Sequence, residues 1–244
     1  FGVPEWAGFS VPKARNVLYC AGEGVFGLRK RLYGLYARYR EKYNIEIPPG
    51  SFDIVECVPL LFNKEHVEAF IKSIIEYAKG KLYDVIVIDT LSLAALGAEE
   101  NSNTDMAQLL GYVAYIAQQL NTSIILIHHA NKTDGYRGAV AIKGNVDCMF
   151  KVSLAPGGNI GILQCDKLRD GKPFDERRYR LVSIDSPFDP EGTAVVEWLP
   201  QHMLSLNGLS QAQRGLFAMK SSPDKVWTAK ELCVEMQCRE GHVK

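Results

Sequence analysis

Short, uniformly apolar runs alternate along this chain with longer stretches whose apolar residues recur every three or four positions. "NVLYCAGEG" (16–24) predicts a buried strand ending in Glu23 between two glycines. A helix pattern follows, carried by Leu28, Leu32, Leu35, Tyr36 and Tyr39. "FDIVECV" (52–58) predicts a second strand, and Asn63 is placed to cap a helix with one apolar stripe, Val67, Phe70, Ile71, Ile74, Ile75 and Ala78. Gly80 ends that helix and "YDVIVID" (83–89) is the next strand. Thr104 is expected to cap a third helix, built on Met106, Leu109, Leu110, Val113, Ile116, Ala117 and Leu120, before the strand "SIILIHH" (123–129). Continuously apolar strands alternating with helices indicate a parallel sheet flanked by helices and covered on both faces.

From about residue 146 the rhythm changes. "VDCMFKVSL", "NIGILQCDKLRDG", "RRYRLVSID" and "TAVVEWL" read as strands separated by Gly, Pro and Asp turns, which predicts an antiparallel extension. After Gly208 the pattern becomes helical again. The expected organisation is an α/β core over residues 1–205 and a small helical appendage over 209–244.

The composition is ordinary for a chain with a real core: 47% apolar and 23% charged residues over 244 positions. Formal net charge is zero, so no whole-protein field argues for nucleic acid or a membrane. Residues 1–43 do carry eight Lys/Arg against three Asp/Glu, for which a solvated helix face is the simplest account. The six cysteines form no C-x-x-C pair, which suits a reducing, cytoplasmic setting. No apolar stretch is long enough to suggest a membrane span.

Ligands of open parallel sheets bind beyond the carboxyl ends of the strands. Three expected strands put polar groups there: Glu23, Asp89 with Thr90, and His128 with His129. An aspartate after "VIVI" can hold Mg²⁺ beside a nucleotide or simply cap the following loop. Glu23, with glycines on both sides allowing close approach, could orient a water for attack on a terminal phosphate. Adjacent strand histidines point to opposite faces, so sharing one metal ion is awkward and a single phosphate-sensing His fits better. The polar loop "ANKTDGYRGAVAIKG" (130–144) brings Lys132, Arg137 and Lys143, cations suited to phosphate backbones, although an idle surface loop has the same composition. In "CDKLRDG" (165–171), Lys167 and Arg169 are two apart and share a strand face, as a phosphate clamp or as charges guarding an edge.

Taken together, these residues resemble the RecA-like ATPases, and among them the plasmid-type RepA hexameric helicases. The resemblance covers roughly residues 6–185. It implies a catalytic role for Glu23 in "VLYCAGEG", and Mg²⁺ coordination by Asp89 through a water, with nucleotide contacts from Thr90 and His128. It maps His129 onto the phosphate sensor, and Lys132, Arg137 and Lys143 onto a DNA-facing loop. Lys167 and Arg169 in "DKLRDGKP" then reach the γ-phosphate bound by a neighbouring subunit. The cofactors implied are ATP and Mg²⁺, and the partners are DNA, single-stranded by analogy, and other subunits of a hexamer. The tail, "LSQAQRGLFAMK" then "WTAKELCVEMQ", resembles the first two helices of a winged-helix module.

One family feature is missing from these residues. No G-x-x-x-x-G-K-[ST] loop occurs among them, so nothing in the sequence cradles the β- and γ-phosphates. The expectation is an N-terminally truncated motor, inactive as it stands, lacking the first strand, the phosphate loop and its helix. The alternative is a regulatory or assembly protein that uses the same scaffold without a phosphate loop. A phosphate loop encoded within about 50 residues upstream of Phe1, the span of a strand and a helix, would favour the motor.

Overall fold

A computed structural model describes residues 2–46, 50–129, 140–155, 158–200, 215–216, 219 and 225–236. The chain divides into two compact units, Phe1–Trp198 and Leu199–Lys244.

The first unit opens with a hairpin of β1 (Glu5–Trp6) and β2 (Phe9–Ser10). There follow β3 (Val17–Ala21), α1 (Val25–Tyr43), β4 (Phe52–Val55), α2 (Lys64–Ala78) and β5 (Val85–Asp89). A one-turn helix α3 (Leu91–Ala94), the long α4 (Asn103–Leu120), β6 (Ser123–Ile127) and α5 (Val140–Asn145) complete the alternating part. Strands β3 to β6 form one parallel sheet in the order β4-β3-β5-β6, which puts the two strands carrying Glu23 and Asp89 side by side in its centre.

Burial explains this arrangement. Leu18 and Cys20 of β3, Ile86 and Ile88 of β5, and Ile124 and Leu126 of β6 alternate onto one face. There they meet Val67, Ile71 and Ile74 of α2 and Met106, Leu109 and Ile116 of α4, all part of a single core. Fully burying each such side chain is worth about 1.5–3 kcal/mol, which outweighs the weak helix propensity of the β-branched residues in α2. Ile125, on the other face of β6, stays half exposed.

The caps follow local chemistry. Asn63 Oδ1 accepts from the His66 N–H at 3.0 Å, as its position predicts. For α4 the cap is Ser102 rather than Thr104: Ser102 Oγ accepts from the Asp105 N–H at 3.2 Å and donates to the Asp105 carboxylate at 2.9 Å. Thr104 lies inside the first turn instead.

The later strands β7 (Cys148–Leu154), β8 (Gly161–Leu168), β9 (Arg177–Ser186) and β10 (Asp189–Trp198) pair antiparallel in the order β10-β9-β8-β7. They form a sheet of their own. The hairpin reaches this sheet through aromatic edges, Trp6 on Trp198 of β10 with centroids 5.1 Å apart, and Phe9 at 5.0 Å on Phe174 in the connection between β8 and β9. Helix α1 packs against β9 and β10, where Arg38 pairs with Glu197 at 3.0 Å and Lys30 with Asp189. The cation excess of the first 43 residues is largely spent in this way, with Arg15 on Asp84, Arg29 on Glu56 and Arg40 on Glu46 as further pairs. Apart from Glu46, the acids that pair with these cations come from elements distant in sequence, and the Lys30–Asp189 pair is largely shielded from solvent.

In the second unit a helix α6 spans Ala229–Met236. A reciprocal box opens it: Thr228 Oγ1 accepts from the Glu231 N–H, and Glu231 Oε2 accepts from the Thr228 N–H. The other helix expected in the tail, around residues 209–220, falls almost wholly outside the described residues. The five described cysteines, Cys20, Cys57, Cys148, Cys165 and Cys233, are free thiols. No helix among the described residues is long and apolar enough to cross a membrane.

Candidate functional site

The site is built where β3 and β5 end together. Their register pairs Ala21 with Asp89, and beyond it the Gly22 N–H donates to the Asp89 carbonyl at 2.6 Å. Glu23 follows at once and is exposed, so two carboxylate-bearing residues leave neighbouring strands at the same edge. Gly24 caps α1 with φ of 60°, a left-handed conformation that glycine adopts without steric cost.

Gly22 is there because nothing larger fits. A Cβ on it would lie 2.4 Å from Leu93 Cδ1, 3.0 Å from the Asp89 carbonyl oxygen and 3.2 Å from Val58 Cγ1. The backbone contact cannot be relieved by a rotamer change. Gly22→Ala is therefore expected to lower stability by about 1–3 kcal/mol through overpacking, read as a lower midpoint in thermal denaturation. An unchanged midpoint would show that the strand ends are not held this tightly.

Asp89 closes β5 and is half-buried, and its peptide bond to Thr90 is cis. Tyr19 of β3 donates its hydroxyl to Asp89 Oδ2 at 2.7 Å. Burial first, and then the Asp89 carboxylate that accepts its proton, push the Tyr19 hydroxyl well above the usual phenol range, so it stays a donor at neutral pH. The charge of Arg31, an exposed residue two turns into α1, opposes that shift. Sequence reasoning singled out neither Tyr19 nor Arg31.

Thr90 is 1% exposed, and its Oγ1 is buried without a hydrogen-bond partner among the described residues. Such a group is normally satisfied by a water or a ligand oxygen. The donor set fits Mg²⁺: it consists of hard oxygens, and Mg²⁺ beside a nucleotide ordinarily takes only one or two carboxylates, with phosphates and waters completing the shell. No cluster of three or more His, Cys, Asp or Glu ligands is found among the described residues.

The histidines sit one step further on. Pairing of β6 with β5 ends at Ile127 opposite Asp89, so His128 and His129 lie past the strand rather than in it. His128 is half-buried and His129 exposed. The loop cations Lys132 and Arg137 lie outside the described residues.

Lys143, Lys167 and Arg169 come together in a different place, around α5. Lys143 Nζ lies 2.5 Å from Asp166 Oδ2. Lys167 Nζ donates to the carbonyls of Lys143 and Gly144 at 2.7 and 3.0 Å, an ammonium on the C-terminal end of α5. Arg169 pairs with Asp147 at 2.7 Å, both side chains being exposed. The other side of α5 is tied to the core: the Ala141 N–H donates to Asn103 Oδ1 at 3.0 Å, and Ile142 is buried. The segment that follows the polar loop is thus anchored both to α4 and to the strand bearing Lys167. Lys167 is turned onto α5, while Arg169 lies past the end of β8.

Among solved structures, the chain is similar to the RadB recombinase over 69% of its own length and 76% of that chain, with 14% identity and a TM-score of 0.43. No curated protein matches. Residues 2–135 match the family model described as an AAA domain, and this stretch contains β3 with Glu23, β5 with Asp89, and the histidines after β6. With more than half of its residues in that match, the chain belongs to the AAA-domain family of P-loop ATPases.

Proposed function

We propose that this chain is part of an ATP-hydrolysing, RecA-like motor that acts on DNA in replication or recombination. One observation carries the reading: the Gly22–Asp89 hydrogen bond draws Glu23 and Asp89 to one edge of adjoining central strands. Asp89 and Thr90 would hold Mg²⁺, which supplies charge neutralisation on the phosphates of bound ATP. Glu23 would orient and deprotonate the attacking water, with its flanking glycines keeping the backbone close. His128 and His129, which follow the end of β6 opposite Asp89, would report the state of the terminal phosphate. Arg169, with Lys167 supporting it through α5, would act on the nucleotide of a neighbouring subunit in a hexamer. Lys132, Arg137 and Lys143 would serve single-stranded DNA, and the anchoring of α5 offers a path from that loop to the strand carrying Lys167. A cytoplasmic setting suits this work.

The phosphate loop is not among these 244 residues. The grip of its backbone N–H groups and lysine on the β- and γ-phosphates is most of the affinity for ATP. The chain by itself is therefore expected to bind Mg·ATP only weakly and to hydrolyse none measurably. Calorimetric titration tests this, and a micromolar dissociation constant would overturn it. The alternative, a regulatory or assembly protein on the same scaffold, predicts equally weak nucleotide binding. It differs in predicting that an extended chain supplying a phosphate loop ahead of Phe1 gains no turnover.

A further inference from the structure

We infer that Tyr19 is a positioning residue for the metal-binding carboxylate, fixing Asp89 so that one oxygen is left free for Mg²⁺. The inference rests on the reading of Asp89 as the Mg²⁺ residue. Its basis is geometric. In the β3–β5 register Tyr19 lies opposite Val87, two residues before the level of Asp89, and therefore on the same face of the sheet. The aromatic side chain spans that distance and brings its hydroxyl to Asp89 Oδ2 at 2.7 Å. Among the described residues the Asp89 carboxylate accepts a side-chain hydrogen bond at Oδ2 and none at Oδ1, so its two oxygens are differentiated: one is held by Tyr19 and the other is not.

The ring itself is fixed. Phe52 of the neighbouring strand β4 packs beside it, with centroids 6.1 Å apart, so the hydroxyl is delivered from a rigid element rather than from a loop. A hydrogen bond to a charged, half-buried carboxylate is stronger than one between neutral groups. A metal-bound carboxylate that can rotate freely spends part of its binding energy on being ordered. Partners that orient metal ligands commonly change metal affinity by about 10–100-fold when removed. A tyrosine that merely found the nearest acceptor would instead affect stability alone.

Tyr19→Phe separates the two, because it keeps the ring and its contact with Phe52 and removes only the donor. The measurement is titration of the chain with Mn²⁺ alone, a paramagnetic stand-in for Mg²⁺, followed by electron paramagnetic resonance. Wild type, Tyr19→Phe and Asp89→Asn are compared, with thermal unfolding of each as the check on folding. The expected result is a Mn²⁺ site that Asp89→Asn abolishes and Tyr19→Phe weakens by roughly tenfold, with a melting midpoint close to that of the wild type. If Asp89→Asn abolishes the site while Tyr19→Phe leaves its affinity unchanged or tighter, the positioning role is wrong and the metal reading stands. If Asp89→Asn matches the wild type, the metal reading falls and Tyr19 with it. If Tyr19→Phe lowers the melting midpoint without weakening Mn²⁺ binding, the hydroxyl is structural.

Discussion

Arg169→Ala is expected to remove nearly all ATP turnover, by about 10³–10⁵-fold, in oligomers of an extended chain that supplies a phosphate loop ahead of Phe1. That is the range for an arginine that neutralises charge on the transferring phosphoryl group from a neighbouring subunit. In the single chain Arg169 is paired with Asp147, but both partners are exposed, at 51% and 73%. Exposed pairs contribute only about 0–1 kcal/mol, so releasing the guanidinium toward a neighbour's nucleotide costs little against the gain in the transition state. Nucleotide binding should change far less than rate, because the group acts on charge that develops during transfer. Lys167→Ala should show a smaller loss of turnover together with lower stability, since its ammonium holds the end of α5 and offers no bidentate fork. A charged guard on a strand edge would leave Arg169→Ala with near-normal steady-state turnover.

Glu23→Gln in the same extended chain should abolish turnover while leaving Mg·ATP affinity nearly intact. The substitution keeps size and hydrogen-bonding reach and removes only the carboxylate that would take a proton from water. Positioned general bases contribute typically 10²–10⁴-fold. The exposure of Glu23 and its place between Gly22 and Gly24 mean that little packing depends on it, so a folding defect is not expected. Binding measured by calorimetry and single-turnover rates measured by quench flow check the two halves separately. Equal losses in both would show that Glu23 holds the strand end together instead.

What could be read directly from the sequence was whatever depends on local pattern. The stripe from Val67 to Ala78 and its Asn63 cap involve residues within a few turns of one another, and the structure bears them out except at Ile75, which faces away from the core and is 59% exposed. The start of α4 was harder, because "SNT" offers two hydroxyl caps. Ser102 takes the position because Asp105 answers it, a reciprocal contact that Thr104 lacks. The end of β6 was misplaced by two residues for a different reason: pairing stops where the partner strand stops, at Asp89, and that is a tertiary fact. Tyr19 gave no signal at all. It reads as an ordinary strand aromatic, and only a fold that brings residues 19 and 89 together shows its acceptor. The same holds for Lys167 and the carbonyls at the end of α5. Strand ends announced Glu23 and Asp89 because a polar residue after an apolar run is conspicuous, whereas the partners of those residues are chosen across long separations.

The central claim is that Glu23 and Arg169 act on the same phosphate from opposite sides of a subunit interface. Mixing Arg169→Ala subunits with Glu23→Gln subunits of the extended chain tests it most directly. Each variant alone is expected to be nearly inactive, and ATP turnover should return in part on mixing, because some interfaces then join an intact Glu23 to an intact Arg169. Mixed oligomers that form, by mass measurement, and recover no turnover would contradict the claim.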